Sequence, residues 1–87
     1  MDIQVESFIG YFATFLTVVA FLPQVVKVWK TKGVKDISLG MYLLLVSGAL
    51  SWIVYGFLVS DVPIIITNVA IFVLELTVVI FKVYYDR

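Results

Sequence analysis

Three apolar runs, from about Phe8 to Val28, Leu39 to Val59 and Val62 to Val83, take up most of this 87-residue chain. Each has about the 20 residues that a helix needs to cross a hydrocarbon core. Where no water is present, backbone N–H and C=O groups must be satisfied inside the segment itself, and for runs of this length that means helix. The chain is 63% hydrophobic and leaves too little polar surface for an ordinary soluble domain. The expected fold class is therefore all-α membrane protein. It is expected to be a single domain, residues 1–87, built as a three-transmembrane-helix bundle with no domain outside the bilayer.

The chain has no His and no Cys. Metal sites built on imidazole or thiolate, disulfides, and thiol or histidine catalysis are thereby excluded. No span holds a pair of acids, so an enzyme is not expected, nor a metal, a cofactor or a nucleic-acid partner. The first run is read as a retained span and not a signal peptide. Asp2 and Glu6 precede it where basic residues would stand, and it is longer than a usual h-region. With Asp2 at the second position and no Cys, no lipidation motif is present either.

The basic residues divide cleanly. Lys27, Lys30, Lys32 and Lys35 flank the first connection, and Lys82 and Arg87 close the third run. The N-terminal tail carries Asp2 and Glu6, and the Ser60-Asp61 turn has no basic residue. With three spans, all six cations fall on one side, which the positive-inside bias assigns to the cytoplasm. The expected location is the cell inner (plasma) membrane, crossed several times and surrounded by lipid, with the N-terminus outside and the C-terminus cytoplasmic. The aromatic residues agree: Trp29, Tyr42, Tyr84 and Tyr85 fall near the inner face, Tyr11 and Tyr55 nearer the outer one.

Pro23-Gln24 interrupts the first run near its basic end. A proline inside a helix removes one backbone donor and clashes with the carbonyl one turn back, here that of Val19. In hydrocarbon such a carbonyl is tolerated only where protein or a water-filled cavity covers it. The pair therefore marks a weakened point, as a moving helix would need. Thr31-Lys32-Gly33 signals a turn after the first helix, and Asp36-Ile37-Ser38 offers capping side chains to the second. Ser60-Asp61 does the same for the third, with Pro63 in the first turn where its missing donor is harmless.

Few polar side chains lie within the spans, so their faces matter. Gly10, Thr14, Thr17, Phe21 and Gln24 form one stripe in the first helix. In the second, Ser47, Ser51 and Tyr55 make one row and Gly48, Trp52 and Gly56 the adjacent one. For the glycine row and for Thr14 and Thr17 the simpler reading is helix packing, which small and hydroxyl residues favour in membranes. Trp52 and Asn68 differ. Each lies about 10 Å below the outer edge at helical rise, at matched depth and away from either interface. An indole face beside a carboxamide suits carbohydrate, whose ring C–H groups stack while its hydroxyls bond the amide. The alternative for Asn68 is an interhelical hydrogen bond. Glu75 shares the Asn68 face, seven residues on. An ionisable group inside a span is either a pathway or proton-sensing acid, or a structural one: a neutral carboxylic acid, or one hydrogen-bonded across a subunit contact. The second alternative is preferred.

Phe21-Leu22-Pro23-Gln24, Asp36-Ile37-Ser38 with Met41-Tyr42, Trp52-Ile53-Val54-Tyr55-Gly56, and Asp61 followed by Asn68 together resemble the SemiSWEET family. These are bacterial half-size relatives of the SWEET sugar transporters, within the PQ-loop group, and the resemblance runs from about Gly10 to Tyr84. It implies a three-helix bundle packed in the order 1-3-2, two copies of which assemble in parallel around a central path. It implies Trp52 and Asn68 as the substrate-binding pair, Pro23 with Gln24 as the hinge, and Tyr55 and Asp61 as the outer gate. Glu75 stands outside the family pattern and remains only a possible intramembrane acid.

The expected function is sugar transport: a uniporter for a mono- or disaccharide, working by alternating access as a homodimer. A lone bundle leaves no lumen, because helices packed 8–10 Å apart close on one another. One alternative is a proton-coupled PQ-loop transporter of an amino acid or other small metabolite, with Glu75 accepting the proton. Another is a non-transporting small membrane subunit.

Overall fold

The structure, a computed structural model, describes residues 3–85. Asp2 and Arg87, used above for orientation, lie outside the described residues. The elements are three helices: α1 (Ile3–Thr31), α2 (Leu39–Leu58) and α3 (Val62–Tyr85). All three are long and apolar enough to cross a membrane. α1 begins before the expected apolar run and continues past it, with Glu6 in its first turn and Lys30 in its last. A helix need not stop at the hydrocarbon edge, and those two charges complement the dipole at its two ends. α1 passes through Pro23 as one continuous helix.

The connections are built from helix stop and start bonds. Lys32 takes the left-handed conformation with φ 55° and closes α1 by donating its N–H to the Val28 carbonyl at 2.8 Å. The left-handed residue is thus one earlier than the glycine that signalled the turn; Gly33 keeps negative φ. Its N–H is instead taken by the Thr31 hydroxyl at 3.1 Å. Ser38 caps α2, its Oγ accepting the Met41 N–H at 3.1 Å. After α2, Ser60 is left-handed, and the Asp61 N–H reaches back to the Gly56 carbonyl at 2.9 Å, the bond that ends a helix sharply. Asp61 then starts α3, its Oδ1 accepting the Ile64 N–H at 3.2 Å.

α3 is the central helix. Both α1 and α2 pack on it, whereas their own Cα atoms nowhere come within 8 Å of each other. The order across the bundle is therefore 1-3-2. The protomer is 50 Å long and 23 × 14 Å in section, about one helix thick in its thin direction.

Two glycines set these approaches. A Cβ on Gly10 would stand 2.8 Å from Cβ of Pro63, and one on Gly56 would stand 2.8 Å from Ile65 Cγ1 and 3.3 Å from the Ile65 backbone nitrogen. Above Gly10 the hydroxyls of Thr14 and Thr67 meet across the α1–α3 contact. Whichever does not donate across donates to its own helix, Thr14 to the Gly10 carbonyl or Thr67 to that of Pro63. Packing accounts for half of the expected glycine row. Gly56 is buried against α3, but nothing lies within 4 Å of a Cβ on Gly48, which faces open space within the protomer. Near the α1–α2 connection the core is Val28, Val34 and Val78, and Lys82 Nζ donates to the Val34 carbonyl at 2.9 Å.

These contacts carry a stability prediction. Gly10→Ala and Gly56→Ala should each destabilise the purified protein by about 1–3 kcal/mol, as an overpacked contact does, and so lower its thermal midpoint. Gly40→Ala, where a Cβ meets nothing within 4 Å, should leave it unchanged or slightly raised. Equal midpoints for all three variants in a detergent melt would mean that the glycines do not set the helix spacing.

Candidate functional site

Because α1 and α2 both pack on α3 while their own Cα atoms stay more than 8 Å apart, a groove runs between them with α3 as its floor. Toward the α2–α3 turn this groove widens into a cleft of about 620 Å³, lined among others by Gly10, Tyr11, Trp52, Asp61, Thr67 and Asn68. Small-molecule sites commonly occupy about 300–1,000 Å³. Its lining is mixed: Glu6, Ser60 and Asp61 contribute polar groups, and Val62, Pro63 and Ile64 apolar surface.

Trp52 and Asn68, matched in depth by the helical rise, line this one cleft from α2 and α3. The indole is 53% exposed in the protomer, so a broad aromatic face is available to a ligand. Tyr55 stands edge-on to it, ring centroids 5.5 Å apart and planes at 88°, which fixes the indole from the side. The Asn68 amide donates from Nδ2 to the Ile64 carbonyl of its own helix at 2.9 Å. That contact is intrahelical, unlike the interhelical bond weighed above. It orients the amide and leaves a second N–H and the carbonyl oxygen to bond a ligand. Asp61 has two roles available, capping α3 through Oδ1 and lining the cleft.

The remaining residues singled out in the sequence lie elsewhere. Pro23 is exposed on α1, and Gln24 next to it donates from Nε2 to the Tyr42 hydroxyl at 2.6 Å. Glu75 shares Asn68's face by spacing but does not line the cleft. It is buried inside the protomer at 2% exposure, which removes it from any contact between subunits.

Tyr42 is the residue that sequence reasoning misassigned. Its place near the end of a span suggested an interfacial belt, yet it is 4% exposed and bonded to Gln24. The available signal was Gln24 itself, an amide inside a span that requires a partner from another helix.

Comparison with known proteins agrees with this architecture. The PQ loop repeat family matches residues 5–65. The sugar transporter SemiSWEET of Leptospira biflexa is 55% identical over 64 residues, covering 74% of this chain and 75% of that protein. The sugar transporter SemiSWEET of Bradyrhizobium diazoefficiens is 40% identical over 85 residues, covering 98% of this chain and 99% of its own. A crystal structure of SemiSWEET in the inward-open conformation superposes with a TM-score of 0.90 at 33% identity, over 98% of this chain and 91% of the other. With three helices in the order 1-3-2 and similarity along nearly the whole length, this chain belongs to the SemiSWEET family, within the PQ-loop group.

Proposed function

We propose that this chain carries a mono- or disaccharide across the cell inner membrane, down its gradient, as a parallel homodimer that alternates access to the cleft. The observation that carries this reading is that Trp52 and Asn68 line one cleft. A half-exposed indole offers the flat apolar face that sugar C–H groups stack on, and an oriented amide offers a donor and an acceptor to hydroxyls. The relatives named above are sugar transporters, which is consistent with that chemistry.

Assembly as two copies follows from shape. A protomer 14 Å thick has no interior path, and its groove is open along one side. A second copy facing it would enclose a path with two Trp52 and two Asn68 around it. Tyr55, beside Trp52, and Asp61, at the outer lip of the cleft, are the proposed outer gate. Pro23 is the proposed hinge, with Gln24 beside it tying α1 to Tyr42. The proposed orientation puts the cationic end, with Lys27, Lys30, Lys32, Lys35 and Lys82, in the cytoplasm and the N-terminus outside.

Uptake of labelled sugars by liposomes holding the purified protein tests the pocket. Trp52→Ala and Asn68→Ala should each remove most uptake at unchanged dimer yield. An unpaired hydroxyl or lost stacking face is worth roughly 1–3 kcal/mol, or about fivefold to a hundredfold in affinity. Uptake at the wild-type rate in both variants would put the site elsewhere, and a monodisperse monomer that transports would refute the dimer.

The hinge makes a separate prediction. Pro23→Ala restores the backbone bond to Val19 and stiffens α1, which favours one of the two states. Transport, which visits both states, should fall far more than sugar binding. Binding and transport falling in parallel would make Pro23 a folding or pocket residue.

A further inference from the structure

Among the described residues, the charged groups that line the cleft are Glu6 and Asp61, both acidic. The rest of the lining is neutral, with the Trp52 ring, the Asn68 amide and the Thr67 hydroxyl among it. The cations are far away. Ala13 is the last α1 residue on the cleft, and the next basic residue of that helix, Lys27, stands fourteen positions on. On α3 the interval from Asn68 to Lys82 is the same. Each is about 21 Å at helical rise. Physiological salt screens a charge over about 8 Å, less than half that distance. α2 has no charged residue at all.

The helix ends do not reverse this sign. α1 and α3 begin at this end of the bundle, where Gly10 meets Pro63, and α2 stops there. An N-terminus is worth roughly half a positive charge and a C-terminus roughly half a negative one. The three ends therefore sum to about half a positive charge, set against two acidic side chains. Asp61 caps α3 through Oδ1 and Glu6 stands in the first turn of α1, and a carboxylate keeps its charge in both roles. Charge of one sign in a cleft with apolar walls concentrates the field. It changes the local concentration of a charged solute by about tenfold or more.

We propose that Glu6 and Asp61 select the cargo by charge. The cleft admits neutral sugars and amino sugars that carry a protonated amine, and it refuses sugar acids and sugar phosphates. This rests on the transport reading above and narrows it to a substrate class. Trp52 and Asn68 recognise a sugar ring and its hydroxyls, which glucose, glucosamine and glucuronate share. That pair has no charge with which to tell the three apart, so discrimination falls to the two acids. In the homodimer each copy adds its own pair around one path, and the filter strengthens on assembly.

The full-length protein in a nonionic detergent gives the first measurement. In a Trp29→Phe background Trp52 is the one remaining indole, half exposed and lining the cleft. Its quenching by caesium, divided by its quenching by iodide, should exceed the same ratio for free N-acetyltryptophanamide severalfold. Glu6→Gln together with Asp61→Asn should bring the ratio back toward that of the free compound. Both changes keep side-chain shape, and Asn still caps a helix. Should the double variant fail to fold, Glu6→Gln alone should lower the ratio part of the way. The second measurement is uptake of glucosamine, glucose and glucuronate by liposomes of neutral lipid, with the membrane potential clamped at zero. Glucuronate should enter about tenfold or more slowly than glucose, and glucosamine at least as fast. In Glu6→Gln and in Asp61→Asn the glucuronate-to-glucose ratio should rise severalfold, whatever the glucose rate itself does. A quenching ratio no higher than that of the free compound, or one that the variants leave unmoved, overturns the charged cleft. Equal entry of glucuronate and glucose in wild type, or a ratio unchanged in both single variants, overturns the filter. A wild-type protein that moves none of the three removes the transport reading, and the quenching ratio still decides the sign of the cleft.

Discussion

Everything in this bundle depends on how closely α3 is gripped from its two sides. Lipid tails are as apolar as the helix surfaces, so no hydrophobic drive pulls helices together in the bilayer. Association rests on packing and on hydrogen bonds between helices. Pro63 reaches into the space over Gly10, and Ile64 and Ile65 into the space over Gly56, while the Thr14 and Thr67 hydroxyls join the first of these contacts. Because both grips are on α3, α1 and α2 are held apart, and the groove between them follows. The cleft with Trp52 and Asn68 is the wider part of that groove, and the Gln24–Tyr42 bridge crosses the narrower part.

Several residues serve the fold and the groove at once. Asp61 begins α3 by capping it and also lines the cleft. Asn68 spends one donor on its own helix, which fixes the direction of the rest of the amide. Tyr55 braces the indole from the edge and gives its carbonyl to the Val59 N–H that ends α2. In a chain of 87 residues there is little room for side chains with one task. A polar group inside hydrocarbon is retained where its backbone bonding and its exposed valence are both satisfied.

The spans were legible because hydrocarbon thickness imposes a length, and no other segment type meets it. The shared level of Trp52 and Asn68 was legible for a similarly rigid reason: helical rise converts residue number into depth. What spacing could not supply was the neighbour on another helix. Gly48 and Gly56 share a row, yet only Gly56 meets α3. Asn68 and Glu75 share a face, yet one opens on the cleft and the other is sealed in the protomer. Tyr42 has the composition and position of a belt residue, and only its contact with Gln24 across the groove reveals otherwise. The order 1-3-2 likewise came from the family resemblance, since helical periodicity in three spans is silent on which one lies in the middle.

The two connections are mechanically unequal. Between α2 and α3 lie three residues, 59–61, and each is committed: Val59 N–H to the Tyr55 carbonyl, Ser60 to Phe57, Asp61 to Gly56, with Asp61 also holding the start of α3. That turn has no slack, so a displacement at the C-terminal end of α2 is necessarily a displacement of α3. Between α1 and α2 lie seven residues, 32–38, enough chain for about 23 Å when extended. The hairpin of α2 and α3 thus behaves as one stiff lever. α1 is joined to that lever by the longer connection, which α3 holds at Val34 through Lys82 Nζ.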